Sequence, residues 1–165
     1  MKEITSAALG LALAMALLPG IAQAQIDSPP PALQGQPSFH LYSVPGVIRG
    51  AGLGTFFACT NTTDNAIRVG VEVFGQAGGA AANDPSATSL NVAAGATVLF
   101  GGGAAAGLSG DGTLGFGIIS KGSARILATA KKGIICSAFL ADPGNAPPTS
   151  MTTLTVVKTT KQKGD

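Results

Sequence analysis

Residues 67–74 read IRVGVEVF, which is the most regular alternation in the chain. Successive side chains of a β-strand point to opposite faces, so Ile67 and the valines at 69, 71 and 73 share one face. The opposite face carries Arg68, Gly70, Glu72 and Phe74. An Arg followed by a Glu four residues later is typical of a solvated face. The pattern therefore predicts a strand with one face in the core and the other in water.

The same alternation recurs on both sides of this segment. It predicts about nine short strands separated by turns rich in Gly, Pro, Asn and Asp, with Pro45-Gly46 and Lys131-Lys132-Gly133 as tight turns. The predicted strands are 39–44, 53–60, 67–74, 90–92, 98–100, 114–120, 124–130, 134–140 and 152–158. Many short strands at fairly regular spacing indicate an all-β fold, an antiparallel β-sandwich or a barrel.

The N-terminal part predicts export. Lys2 leads into an apolar run over 7–18, and Ala22-Gln23-Ala24 supplies the small residues that signal peptidase requires. We interpret 1–24 as a signal peptide, which places the mature protein in the periplasm, at a bacterial cell surface or outside the cell. The apolar run is too short for a permanent membrane span.

The remaining chain divides into three parts. Residues 25–37 form a Pro-rich leader containing Pro29-Pro30-Pro31, which we interpret as an extended spacer. Residues 38–158 form the β domain. Residues 159–165 form a Lys-rich polar tail, interpreted as a solvated end.

Charge is scarce. Charged residues make up 11% of the chain, against about 25% in an ordinary soluble domain. Between residue 25 and residue 157 six basic and six acidic residues balance. No basic stripe with interleaved aromatic residues is present, so nucleic-acid binding is not expected.

Two cysteines, Cys59 and Cys136, are present. An even number of cysteines in an exported protein favours one disulfide. The alternative is a pair of buried free thiols. A metal site needs more ligands than the single histidine, His40, adds to these two.

One segment supports a resemblance. Residues 90–100 read LNVAAGATVLF, and Cys59 and Cys136 fall on an early and a late strand. This hairpin and this cysteine placement resemble bacterial immunoglobulin-like modules, in which such a bridge joins the two sheets. The resemblance implies an immunoglobulin-like sandwich and supplies no functional residues. The chain has no Trp to pack on the bridge, unlike antibody-type domains.

Catalytic and cofactor motifs are weak. His40 is interpreted as a surface or half-buried strand residue, and Gly107-Leu108-Ser109-Gly110-Asp111 fails the nucleophile-elbow pattern at its last position. The aspartates at 64, 84, 111 and 142 fall in predicted turns. Asp84 and Asp111 could bind a calcium ion if their loops meet in space. Gly101-Gly102-Gly103 lacks the Lys of a phosphate loop. We expect no enzyme activity, no catalytic residue, no metal and no cofactor.

Two functions remain. The first is a structural or interaction protein that binds a protein partner or itself, because outward faces of Ala, Gly, Thr and Ser offer little charge against strand pairing. The alternative is a small binding module that takes a carbohydrate or protein ligand on the loops 75–87 and 101–112.

Overall fold

A computed structural model describes residues 28–102, 110–145 and 147–159. The signal peptide predicted over 1–24 and most of the tail lie outside these residues. Ten strands are formed: β1 (Phe39–Gly50), β2 (Leu53–Asn61), β3 (Ile67–Phe74), β4 (Leu90–Val92), β5 (Thr97–Gly101), β6 (Gly112–Thr113), β7 (Ile119–Ala128), β8 (Ile134–Ala141), β9 (Met151–Leu154) and β10 (Val157–Lys158). The predicted all-β class is confirmed. In these ranges no helix has the length and apolar character needed to cross a membrane.

All ten strands belong to one hydrogen-bonded sheet. One part has the order β4-β3-β7-β1, and the other has the order β6-β5-β2-β8-β9. The β1–β2 hairpin joins the two parts at one end, where Arg49 pairs with Gly54. On the far side β9 pairs with β8, and β10 pairs with β1. The sheet is therefore nearly barrel-shaped. Its described ladders are antiparallel except for the parallel pair β5–β6.

The core lies between the two parts. The valines of β3 at 69, 71 and 73 are fully buried, as the alternation predicts. They pack in one apolar cluster with Phe57 and Cys59 of β2, Phe100 of β5 and Ile126 of β7. The inward residues of both parts thus bury a single apolar interior, which is the principal source of stability in a domain of this size.

Several strand limits differ from the prediction. Pro45-Gly46 lies within β1, where the pairing with β7 shifts register between Pro45 and Val47, because a bulge accommodates a proline that cannot donate to the ladder. Residues 114–118 lie outside any strand, and the predicted strand 152–158 is divided into β9 and β10. The two short strands pair with different partners, which is why the segment breaks between them.

Two predicted hairpins are also absent as hydrogen-bonded pairs. Lys131-Lys132-Gly133 connects β7 with β8, but β7 pairs with β1 and β3 whereas β8 pairs with β2 and β9. Likewise β4 pairs with β3 and β5 pairs with β2. Both connections cross from one part of the sheet to the other. Gly133 does adopt the expected positive φ, at 86°.

The cysteine bridge forms, between Cys59 and Cys136. The two residues lie directly opposite each other on the neighbouring strands β2 and β8, with Cα atoms 4.2 Å apart. The bridge therefore reinforces one ladder and does not join two sheets, which corrects the expectation drawn from the immunoglobulin-like resemblance.

The second face of β3 is covered and not solvated, which is another correction. Glu72 is 3% exposed and pairs with Arg125 of β7, which is fully buried. Arg125 also donates to the Ser28 carbonyl at 2.6 Å, so the ion pair lies beneath the Pro-rich leader. The expected partner, Arg68, bonds instead to Ser89.

The leader packs on the sheet and is not the spacer that its prolines suggest. Leu33 is fully buried over Gly70, where an added Cβ would lie 2.9 Å from the Leu33 side chain. The Gln34 amide donates to the Ser86 hydroxyl, and the Ser38 hydroxyl donates to the Pro31 carbonyl. Gly70 makes this close approach possible because it has no side chain of its own.

We predict that Leu33→Ala lowers the free energy of unfolding by about 2–5 kcal/mol, because it leaves a cavity under the leader. Urea denaturation measures this. The control Gln36→Ala shortens an exposed side chain of the same segment and is expected to stay within about 0.5 kcal/mol of the native chain. A neutral Leu33→Ala variant would restore the spacer interpretation.

We further predict that Arg125→Met lowers the free energy of unfolding by about 3–5 kcal/mol, because it leaves the Glu72 carboxylate buried without its partner. Adding Glu72→Leu recovers most of this loss, since an apolar pair of similar volume avoids the desolvation of two charges. Thermal and urea unfolding of the native chain, the single variant and the double variant measure both steps. Equal destabilisation of the single and double variants contradicts the prediction.

Candidate functional site

Four neighbouring strands, β5, β2, β8 and β9, contain no charged residue. Because Phe57 and Cys59 of β2 point into the core, alternate residues of these strands point outward. The ladder registers bring the outward residues of all four strands together. We call the resulting surface the neutral face; it comprises Ala58, Thr60, Thr97, Leu99, Ile135, Ser137, Phe139, Met151 and Thr153.

The neutral face combines exposed apolar groups with small hydroxyls. Ile135 and Met151 are 59% and 58% exposed, which is high for large apolar side chains. The hydroxyl oxygens of Thr60 and Thr97 lie 2.8 Å apart and bond to each other across the β2–β5 ladder. The face thus presents apolar groups and small hydroxyls, one pair of which is mutually bonded, with no charged side chain.

Phe139 is held rigidly on this face. Its ring stacks on that of Phe56, with centroids 5.6 Å apart and planes 15° from parallel. Phe56 is fully buried although its position points outward, and the stacked Phe139 ring covers one of its faces. A fixed aromatic ring loses little conformational entropy when a partner covers it.

Two carboxylates mark the rim of the face, and both are engaged. Asp111 accepts a hydrogen bond from the Leu99 amide at 2.8 Å. Asp142 accepts from the Thr149 hydroxyl, the Ser150 amide and the Asn145 side chain, and these bonds hold the pKa of Asp142 well below its usual range. An apolar surface with a polar rim is typical of an interaction site.

His40 lies elsewhere, on the outer side of β1 beside the Glu72–Arg125 pair. Its Nε2 is 3.1 Å from the Tyr42 carbonyl and 3.0 Å from the Ser43 hydroxyl. A carbonyl only accepts, so the Tyr42 contact places the proton on Nε2. With its proton directed at the Tyr42 carbonyl, this nitrogen is not the free base that a serine nucleophile requires.

The environment of His40 disfavours its charged form. Burial lowers the pKa of His40, and the positive charge of Arg125 lowers it further, against a smaller opposing effect of the bond to the Tyr42 carbonyl. The imidazole is therefore neutral at physiological pH. Its position agrees with the predicted half-buried strand histidine.

Sequence reasoning missed Arg125. A signal was present: Arg125 stands between Ala124 and Ile126 in a predicted strand, and Glu72 is the only Glu after residue 24. Two opposite charges on facing strands, both at outward positions of apolar segments, indicate a buried pair when a third layer covers them. The leader is that third layer, and its spacer interpretation concealed the pair.

Of the two loops considered for ligand binding, 75–87 is described in full, whereas residues 103–109 of the loop 101–112 lie outside the described residues. Asp84 accepts from the Ser86 and Ala87 amides at 2.8 and 3.3 Å, so it stabilises its own turn. Across the described ranges, no three His, Cys, Asp or Glu side chains gather as a metal site would require. Residues 75–82 border an open cleft of about 420 Å³ with 118–121, and no aromatic ring lines it.

Comparisons of this chain with protein-family models, curated protein sequences and solved structures found no match.

We predict that the free energy of unfolding falls as pH decreases from about 7 to about 5, because the unfolded chain binds a proton at His40 more readily than the folded chain. The stabilisation is complete above the unfolded-state pKa of about 6.5 and is lost as pH falls through the lowered folded-state pKa. Urea denaturation at several pH values measures the slope. His40→Asn should remove the pH dependence, since His40 is the only histidine. If the slope is unchanged in that variant, a group other than His40 causes the pH dependence.

Proposed function

We propose that this chain is an exported, non-enzymatic structural or interaction protein of a bacterial cell surface, and that it associates with further copies of itself through the neutral face. The observation that carries the proposal is the absence of charge from all four strands that build this face, β5, β2, β8 and β9. Twelve charged residues are described, and every one lies outside these strands.

A second copy is the occupant that this surface suits best. In a two-fold contact the same patch of both subunits meets, so a charged residue near the centre of the patch would approach its own copy. The neutral face brings no such repulsion. Ile135, Met151 and Phe139 would bury apolar area, and the hydroxyls of Thr60 and Thr97, already bonded to each other, carry a reduced desolvation cost.

The disulfide supports an oxidising compartment. A bridge between Cys59 and Cys136 persists in the periplasm or outside the cell and is rare in the cytosol. This agrees with the predicted signal peptide over 1–24. The non-enzymatic assignment is supported by the tautomer of the neutral His40, whose Nε2 bonds to the Tyr42 carbonyl and is not free to act as a base.

An immunoglobulin-like sandwich is the finer form of the fold that we propose. It is supported by the two groups of strands, β4-β3-β7-β1 and β6-β5-β2-β8-β9, which contribute to one core cluster.

The alternative of a loop-based binding module has one favourable observation, the open cleft between 75–82 and 118–121 with Ile118 88% exposed. The ligand would be a carbohydrate or protein. A carbohydrate platform ordinarily includes aromatic rings, and this cleft has none among its lining residues. Light scattering separates the two functions, because a loop-based module does not need to associate.

We predict that the mature, oxidised chain forms dimers or larger assemblies whose mass rises with concentration. Ser137→Lys, which places a charge at the centre of the neutral face, is expected to shift the protein to the monomer, because a two-fold contact would then bury like charges. Size-exclusion chromatography with light scattering measures the mass.

The matched control is Ala87→Lys, which adds the same charge at an exposed loop position outside the neutral face. It should associate like the native chain. A native chain that stays monomeric across a wide concentration range overturns the proposal. Equal dissociation of both lysine variants assigns the association to net charge and not to this face.

A further inference from the structure

Three lysines from two distant parts of the chain meet at one end of the sheet. Lys131 and Lys132 lie in the connection between β7 and β8, and Lys158 lies in β10. Together with Leu41, Tyr42, Thr62 and Ile135 they line a cleft of about 150 Å³. We call it the lysine cleft. Lys158 lies 26 residues after Lys132 in the sequence, at the end of a different predicted strand, so only the fold reveals the cluster.

Backbone hydrogen bonds fix the positions of these lysines. Lys158 pairs with Tyr42 in the β1–β10 ladder, and the following residue, Thr159, donates its amide to the Leu41 carbonyl at 2.8 Å. The Gly133 carbonyl accepts from both the amide and the hydroxyl of Thr62. The cleft is therefore built on two anchored segments, which lowers the entropy lost when a ligand binds.

The cleft carries uncompensated positive charge. The only salt bridge between described residues is Glu72–Arg125, so none of the three lysines pairs with a carboxylate there. Asp84 and Asp142 accept hydrogen bonds within their own turns, and Asp111 accepts one from the Leu99 amide of β5. Asp64 is the one carboxylate in the turn beside Thr62, and a single acid does not balance three ammonium groups.

The polar side chains of the cleft leave recognition to the lysines. The Tyr42 hydroxyl donates to the Ile134 carbonyl at 2.6 Å, and the Thr62 hydroxyl donates to the Gly133 carbonyl at 3.1 Å. Both hydroxyl hydrogens are thus engaged. The ammonium of Lys131 lies 4.9 Å from the centre of the Phe39 ring, which directs that side chain along β1. Lys132 and Lys158 are exposed and available to bind an anion.

We propose that the lysine cleft binds a phosphate-bearing ligand, with Lys132 and Lys158 contacting the phosphate oxygens. Ammonium groups bind phosphate as compact point charges with several donors each. Leu41, Ile135 and the Tyr42 ring supply an apolar wall, which suits a phosphate attached to a carbon skeleton. The phosphate belongs to a small phosphoester or to a lipid headgroup; the recognised chemistry is the same.

The test is NMR titration of the mature, oxidised protein with inorganic phosphate at low ionic strength. We expect amide shifts concentrated at Tyr42, Gly133 and Lys158. Lys132→Gln and Lys158→Gln should each weaken binding by about fivefold, and the double variant should abolish it. The control Lys121→Gln removes the same charge from an exposed position on β7 and should bind like the native protein. Equal weakening by all three single variants, or no localised shift, overturns the proposal.

Vesicle sedimentation distinguishes the two sources of the phosphate. Vesicles of phosphatidylcholine with phosphatidylglycerol are compared with vesicles of phosphatidylcholine alone. Localised phosphate binding together with sedimentation that depends on Lys132 and Lys158 identifies a lipid headgroup. Localised phosphate binding without sedimentation identifies a free phosphoester. Sedimentation without localised phosphate binding overturns the proposal that the lysine cleft is a binding site, because general attraction to a negative surface then explains the result.

Discussion

The packing of the leader on the outer face of β3 and β7 depends on one constraint, the buried ion pair between Glu72 and Arg125. Removing two charges from water is costly, and their attraction alone rarely offsets the cost. Here the guanidinium gains the Ser28 carbonyl at 2.6 Å and lies 5.5 Å from the centre of the Phe74 ring. These additional partners come from the leader and from β3, so the leader contributes directly to satisfying the buried pair. The pair also ties β3 to β7 in one register, in which Glu72 faces Arg125.

This dependence explains why the sequence predicted one face of β3 correctly and the other wrongly. The valines at 69, 71 and 73 follow a two-residue period, and burial of that face needs only a sheet. Arg68, Gly70 and Glu72 are polar or small, which is the pattern of a wet face unless another segment covers them. The covering segment contains three consecutive prolines, and local rules assign such a segment to an extended spacer. An extended chain is nevertheless able to pack when one apolar residue, Leu33, meets a glycine, Gly70.

The two-residue alternation of apolar side chains predicts where strands form. It does not predict which strands pair. The long strands over 53–61, 67–74 and 134–141 agree with their alternation. The connections at 94–95 and 131–133 contain turn residues that favour hairpins, yet each crosses between the two parts of the sheet. Turn chemistry specifies the local chain reversal and leaves open which strand becomes the neighbour. The cysteines show the same limit: their even number favours a bridge, whereas only the β2–β8 register shows that it stays within one ladder.

The few charged residues of this molecule are grouped in particular places. Two opposite charges are buried beneath the leader, three lysines gather at one end, and four adjacent strands have none. In a chain with only 11% charged residues, random placement would scatter them. Ile135 belongs to both the neutral face and the wall of the lysine cleft, so the two surfaces share an edge. If copies associate through the neutral face with two-fold symmetry, each interface then has a lysine cleft at its margin, and the assembly presents repeated positive sites to any phosphate-bearing surface. Repeated weak sites held at fixed spacing bind such a surface far more strongly than one site does.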